Sequence, residues 1–238
     1  MQKISIIVPA YNEGKTIQLV LEKLKNLKLV NNIRKEVIVV NDASKDDTEA
    51  KVQDFIKAHP SIPDMDIIYL KHDKNAGKGQ AIRTAIEHIS GEVTIIQDAD
   101  LETDVEDINL MLTYYLQHNL KVLYGSRFFS RQNIRRRSYF YWGGRLVSWV
   151  ANVLYFQRLT DAPTCYKMID TALLKSIPLN CKRFEFCPEI TAKIAKKGIK
   201  IQEYPMRYYP RTIEEGKKLR WHDGLEAIWT LIKYRFVN

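Results

Sequence analysis

Two carboxylates one residue apart, Asp98 and Asp100 in Gln97-Asp98-Ala99-Asp100-Leu101-Glu102, end the apolar run at 93–97. Hard oxygen donors at this spacing suit Mg²⁺ or Mn²⁺, and Glu102 offers a further carboxylate. A cation held there would act as a Lewis acid, neutralising the two phosphates of a departing nucleoside diphosphate. A surface turn with two solvated acids has the same short pattern, so the surrounding clusters decide its weight. Three of them also follow apolar runs: Pro9-Ala10-Tyr11-Asn12-Glu13, Asn41-Asp42-Ala43-Ser44-Lys45-Asp46 and Asn75-Ala76-Gly77-Lys78-Gly79. Gly77 and Gly79 permit close backbone approach to a phosphate, and Lys78 supplies a point charge. Asp42 could accept hydrogen bonds from a ribose or base. Asp42 and Asp46 could equally cap a helix, and Tyr11 could be a core aromatic with a satisfied hydroxyl.

The elements that position these clusters are legible as alternating patterns. Short apolar or β-branched runs at 4–10, 36–40, 67–70, 93–97 and 122–124 predict strands. Helical spacing follows at 17–27, beyond Thr48, at 79–89 and at 105–118. This rhythm predicts a single α/β domain of Rossmann-like build, with a mostly parallel central sheet and helices on both faces. Ligands of such sheets bind beyond the carboxyl ends of the strands, where the four clusters lie. The second half is less regular. It holds an aromatic-rich helix at 139–156, a helix at 184–197, a strand at 199–204, a polar loop at 211–220 and an amphipathic helix at 224–236.

Of the 238 residues, 45% are hydrophobic and 27% charged, which excludes extensive disorder and is enough for one sizeable core. Three cysteines without CxxC spacing make no disulfide or zinc framework, so a reducing compartment is expected. No apolar run reaches the ~18 residues of a spanning helix, and no secretory signal is visible. Net charge is +9, unevenly spread. Positions 108–160 contain no Asp or Glu but hold Lys121, Arg127, Arg131, Arg135, Arg136, Arg137, Arg145 and Arg158. A stretch of one sign implies an anionic partner: phosphate, nucleic acid or a membrane surface.

The four clusters, in this order, resemble family 2 glycosyltransferases of the GT-A fold from Lys3 to about Arg220, and among them the dolichyl- or polyprenyl-phosphate sugar synthases. Residues 9–13 resemble that family's PxYNE. Val40-Asn41-Asp42-Ala43-Ser44 resembles its VDDGS, with Asn41 for Asp and Ala43 for Gly. Residues 75–79 resemble its NxGKG, and Asp98-Ala99-Asp100 its metal motif. The resemblance implies a GDP- or UDP-hexose donor held by Pro9, Tyr11, Glu13, Asp42, Lys78, Asp98, Ala99, Asp100, Arg211 and Lys217. It implies Mg²⁺ or Mn²⁺ on Asp98, Asp100 and Glu102. The domain would span 1–220, with 1–104 binding nucleotide sugar and 105–220 the acceptor, followed by the helix at 221–238.

The acceptor half resembles the lipid-phosphate branch. Gly125-Ser126-Arg127 matches its GSR. Gly144-Arg145-Leu146-Val147-Ser148 resembles its RRLIS-like segment, with Gly144 for the first Arg. Arg127, Arg145 and Ser148 are the implied phosphate ligands, and Asp100 and Arg127 the implied catalytic pair. Asp161-Ala162-Pro163-Thr164-Cys165-Tyr166-Lys167 resembles D-x-x-SGF/Y-K, with Thr164 and Cys165 departing from Ser-Gly. Glu189 resembles the acid of an FEFxxE helix, and is equally an ordinary first-turn acid. Arg211, Lys217 and Lys218 resemble a mobile basic loop that closes over the diphosphate.

The chemistry expected is hexosyl transfer, of mannose or glucose, with inversion. A sugar hydroxyl would need a general base, whereas a phosphate monoester, with a second pKa of ~6, is already anionic near neutrality. The expected setting is the cytoplasmic face of a membrane, with the aromatic helix lying peripherally at the interface. Three other readings compete: transfer to a sugar hydroxyl, a nucleotidyltransferase, and a basic nucleic-acid-binding module. The last leaves all four clusters unexplained, so nucleic acid is not an expected partner. The nucleotide base and the oligomeric state are open.

Overall fold

The computed structural model describes residues 1–129, 139–211 and 221–237. The first half alternates β1 (Lys3–Ala10), α1 (Ile17–Asn26), β2 (Arg34–Asn41), α2 (Thr48–Ala58), β3 (Met65–Lys71), α3 (Lys78–Ile86), β4 (Val93–Ile96), α4 (Asp107–Gln117) and β5 (Val122–Ser126). Then come α5 (Tyr139–Tyr155), β6 (Lys167–Asp170), α6 (Thr171–Lys175), α7 (Phe186–Lys196), β7 (Gln202–Pro205) and α8 (Trp221–Phe236). The seven strands of the described residues form one sheet in the order β3-β2-β1-β4-β6-β5-β7. Every pairing is parallel except those of β6, which runs antiparallel to β4 and β5.

Helices cover both faces, so β1 and β4 carry apolar side chains on both sides rather than alternating with polar ones. Successive side chains of β1 part to opposite sides. Ile6 and Val8 join Val20, Leu24, Phe55 and Met111 of α1, α2 and α4. Ile7 joins Ile82, Val147, Ile190 and Leu231 of α3, α5, α7 and α8. The predicted α/β class and mostly parallel sheet are therefore the observed ones.

Strand β6 lies outside the sequence expectation. Met168 and Ile169 are its only apolar residues, too few to show a period, and it is flanked by Lys167 and Asp170. Its strand character comes from its slot between β4 and β5. Helix α8, expected as the C-terminal amphipathic helix, packs into the core. Leu231 and Tyr234 are buried in the same core as α5 and α7, and the Tyr155 hydroxyl donates to the Leu231 carbonyl at 2.6 Å.

Helices α5 and α8 pack together and leave large apolar side chains outside. On α5 these are Trp142, Leu146, Trp149 and Val153; on α8, Trp221, Leu225, Trp229, Ile232 and Phe236. Spacings of three and four place each set on one helical stripe. Trp142 and Trp149 are 62% exposed and Phe236 82%, far beyond what burial in this core explains. Among the described residues no helix is long and apolar enough to cross a membrane.

Candidate active site

The four clusters meet at one edge because β1, β2, β3 and β4 run in the same direction and end together. Side chains and amides staple their loops. The Asn12 amide donates to Ser44 Oγ at 3.0 Å, and the Lys45 amide to Asn12 Oδ1 at 2.8 Å. Asp46 accepts from the amides of Gly14 and Thr48, so it both starts α2 and holds the first loop. Ala43 has φ 56°, a left-handed conformation that explains why the resembled motif carries glycine there. Pro9 and Tyr11 lie at the same edge, and Ala99 is buried beneath it.

Asp42 is hydrogen-bonded within the protein. Its Oδ1 accepts from the Ala76 amide at 2.8 Å and lies 2.7 Å from His72 Nδ1. Its Oδ2 accepts from Gly77 N at 2.8 Å and Asn75 Nδ2 at 2.9 Å. A carboxylate has about four acceptor positions, and here the protein fills them. Asp42 therefore shapes the 75–79 loop. Gly77 completes that turn at φ 94°, where a Cβ would stand 2.3 Å from the Lys182 carbonyl.

The acids form a compact, mutually repelling group. Burial first, then Asp98 and Glu102, raise the Asp100 carboxyl to about 7. Protein cations answer them. Lys78 Nζ lies 2.5 Å from Asp98 Oδ1 and donates to Cys165 Sγ at 3.0 Å. Burial opposes the Lys78 charge, but Asp98 and Cys165 outweigh it and hold the ammonium well above its usual range. Arg211 reaches Asp100 Oδ2 at 3.2 Å and Glu13 Oε2 at 3.1 Å. Lys217, also expected here, lies outside the described residues.

Glu102, expected among the metal ligands, is engaged by the chain after β7. Its Oε2 accepts from Tyr208 Oη at 2.9 Å and its Oε1 from the Arg211 amide at 2.8 Å. It anchors the segment that delivers Arg211 to the acids. Among the described residues no group of three His, Cys, Asp or Glu is arranged to hold a metal ion. Asp98 and Asp100 still suit one. Mg²⁺ and Mn²⁺ sites commonly use one or two carboxylates and complete their shell with water and substrate phosphate. The raised carboxyl of Asp100 marks charge that such a cation would relieve.

On the acceptor side, Arg127 is clamped by Asp161. Its Nε and Nη2 donate to the two carboxylate oxygens at 2.7 and 2.6 Å, and its amide adds a third bond at 3.0 Å. Asp161, fully buried, is the first acid after the acid-free stretch. Arg145 is exposed on α5, with Nη1 3.3 Å from the Thr160 carbonyl and the guanidinium 5.8 Å from the Phe128 ring. Ser148 does not face the open side. It is 1% exposed, donates to the Gly144 carbonyl at 2.8 Å and accepts from the Ala162 amide at 2.9 Å. The first bond stays within α5 and the second joins α5 to the 160–162 loop, so Ser148 is engaged inside the protein. Arg131 and Arg135 to Arg137 lie outside the described residues.

The glycosyl transferase family 2 model matches residues 5–177, spanning all four strand-end clusters and Arg127. The chain belongs to that family. It is 28% identical to a dolichyl-phosphate beta-glucosyltransferase of Trichomonas vaginalis, over 97% of this chain and 72% of the relative. It is 26% identical to the UDP-N-acetylglucosamine–dolichyl-phosphate N-acetylglucosaminyltransferase of Methanococcus voltae, over 86% of this chain and 84% of the relative. The fold is shared with glucosyl-3-phosphoglycerate synthase of Mycobacterium tuberculosis, solved with Mn²⁺, UDP and phosphoglyceric acid. The TM-score there is 0.71 at 18% identity, over 100% of this chain and 80% of that one.

Sequence reasoning left three residues of this family 2 site without a role. Asp161 was recognisable as the end of the acid-free stretch and as the first residue of the D-x-x-SGF/Y-K-like segment, but not as the partner of Arg127. Tyr208 and Arg207 carry no local signal; Arg207 binds Asp104 and Asp107 at 2.9 and 2.7 Å and so ties the chain after β7 to the start of α4. Glu189, whose functional and first-turn readings stood equal in the sequence, is engaged as a clamp. It accepts from the amides of Asn180 and Cys181 and pairs with Lys193 at 2.6 Å. The loop it holds packs on Gly77 and Gly79. Burial works against its charge, but Lys193 and the Asn180 amide outweigh it and keep the carboxyl below the usual range. Glu189→Gln is expected to lower stability by about 3 kcal/mol, because a buried lysine loses its counterion. It should nevertheless retain turnover at neutral pH. Urea unfolding and initial rates check both halves; unchanged stability with activity lost across the pH range would make it a base.

Proposed function

We propose that this family 2 enzyme transfers a hexose, glucose or mannose, from a uridine diphosphate sugar to a polyprenyl or dolichyl phosphate, with inversion, while resting on a membrane surface. The observation that carries this reading is the pair of exposed tryptophan-rich stripes on α5 and α8, one of which also bears Arg145. Such stripes suit the boundary between headgroups and acyl chains. The names of the two relatives, both acting on dolichyl phosphate, support the same acceptor, and the UDP-N-acetylglucosamine of one relative and the UDP bound in the solved neighbour support that donor.

The residues divide the work. Asp98 and Asp100 are proposed to hold Mg²⁺ or Mn²⁺, which when bound supplies Lewis-acid stabilisation of the leaving diphosphate. Lys78 and Arg211, already among these acids, bring positive charge to the same phosphates. Arg127, oriented by Asp161, and the exposed Arg145 are proposed to receive the acceptor phosphate. A planar guanidinium can give two bonds to one phosphate. An acceptor phosphate attacks as an anion and needs no protein base, in keeping with a Glu189 that is committed elsewhere.

The direct test incubates the enzyme, Mn²⁺ and a polyprenyl phosphate in liposomes with a panel of nucleotide sugars and identifies the product. A glycolipid from a UDP-hexose is expected. Efficient glycosylation of a free oligosaccharide, with none of the lipid phosphate, would overturn the acceptor while leaving the donor half standing. In the same assay Arg145→Ala should raise the half-saturating lipid phosphate roughly ten- to a hundredfold, equivalent to one charged hydrogen bond of ~1.5–3 kcal/mol. UDP affinity should not move. Arg145→Lys should recover only part, since lysine keeps the charge but not the fork.

A further inference from the structure

Cys165 stands where the resembled motif carries glycine, and it sits beside the donor-site lysine. Its Sγ is 3.0 Å from Lys78 Nζ and 3.4 Å from Cys187 Sγ, at the start of α7. We propose that Cys165 and Cys187 are an oxidation-sensitive dithiol that controls Lys78, so that a peroxide-class oxidant closes them into a disulfide and weakens donor binding.

The geometry gives the two sulfurs unequal parts. Cys165 is half-buried and reachable, whereas Cys187 is 4% exposed behind it. The neighbouring Cys187 thiol and, against burial, the Lys78 ammonium favour the Cys165 thiolate. Cys187 remains the protonated partner, held well above its usual range by its bond to Cys165 and by burial. The Cys165 thiolate attacks one peroxide oxygen, the O–O bond breaks, and hydroxide leaves, giving a sulfenic acid. Cys187 then attacks that sulfur as a thiol, losing its proton as the S–O bond breaks and water departs. Two thiols and one peroxide thus become one disulfide and two waters.

A disulfide needs sulfurs about 2.04 Å apart, so closure draws them together by about 1.4 Å. The Cys165 sulfur turns toward α7 and ceases to be the thiolate partner of Lys78. Lys78 then keeps its contact with Asp98 at 2.5 Å and is held there instead of turning to a diphosphate. The third cysteine is an internal control. Cys181 is buried and its thiol is pushed up by burial and by Glu189, so it should stay reduced.

The experiment treats the full chain with hydrogen peroxide and maps its peptides without reduction. A Cys165–Cys187 cross-link with Cys181 free is expected. The effect on the donor rests on the donor assignment above; the cross-link does not, so the two fail separately. UDP binding with Mn²⁺, measured by calorimetry, should weaken about tenfold on oxidation and recover with dithiothreitol. Cys187→Ala should bind UDP as the reduced parent does, form no cross-link, and yield a Cys165 sulfenic acid that dimedone traps. Absence of the cross-link at complete peroxide exposure overturns the dithiol. A cross-link that leaves UDP affinity unchanged overturns its control of Lys78.

Discussion

Asp100→Ala is expected to lower turnover by roughly 10³-fold or more with no loss of thermal stability. The first half follows from the proposed cation: its charge stabilisation amounts to several kcal/mol of the barrier, and each ~1.36 kcal/mol is tenfold in rate. The second half follows from the electrostatics of the site. Burial, Asp98 and Glu102 raise the Asp100 carboxyl from 3.8 to about 7, so its ionised form is a burden on the metal-free fold. Because the folded value lies above the unfolded one, the associated stability is complete below about pH 4 and is lost as pH rises through about 7. Asp100→Asn should remove that dependence, which thermal melts at pH 5 and pH 8 without metal would show. Protons also compete with the cation, so the Mn²⁺ concentration for half-maximal rate should fall from pH 6 to pH 8. Full activity of Asp100→Ala, or of the parent in excess EDTA, would remove the metal from the mechanism.

Arg127→Ala should act chiefly on the fold, which separates it from Arg145→Ala. Removing the guanidinium strands the fully buried Asp161 without its counterion, at a cost of about 3–5 kcal/mol. Urea denaturation at pH 7.5 measures this directly. Pairing the change with Asp161→Asn should recover much of the stability, because the unpaired charge goes with it, but should not recover lipid-phosphate transfer. An Arg127→Ala protein of parental stability would mean that the Asp161 clamp contributes little. A doubly changed protein with full transfer would show that Arg127 serves only the fold.

The local sequence determined the first half of the molecule almost unaided. Strands β1, β2 and β4 are buried on both faces, so most of their residues are apolar, and the loops that follow must break that run with Gly, Asn and Asp. The contrast makes both the strands and the strand-end clusters visible, and parallel β-α-β connections then bring those clusters to one edge. Asp98, Asp100 and Lys78 were readable for that reason, as was the acid-free stretch as a region of one charge.

Tertiary structure decided which of these side chains are spent inside the protein. Asp42, Ser148, Glu102 and Glu189 have suitable chemistry for ligands, yet each is committed to amides, hydroxyls or a lysine, most of them on another segment. Asp161 reaches Arg127 across 34 residues, and Arg211 reaches Glu13 across 198, so no local pattern announces either pair. Strand β6 is a strand because β4 and β5 leave unpaired backbone on both sides of it, not because of its four residues. Whether a polar group is available depends on how many of its hydrogen bonds the fold has already filled, and that count exists only once the segments have met.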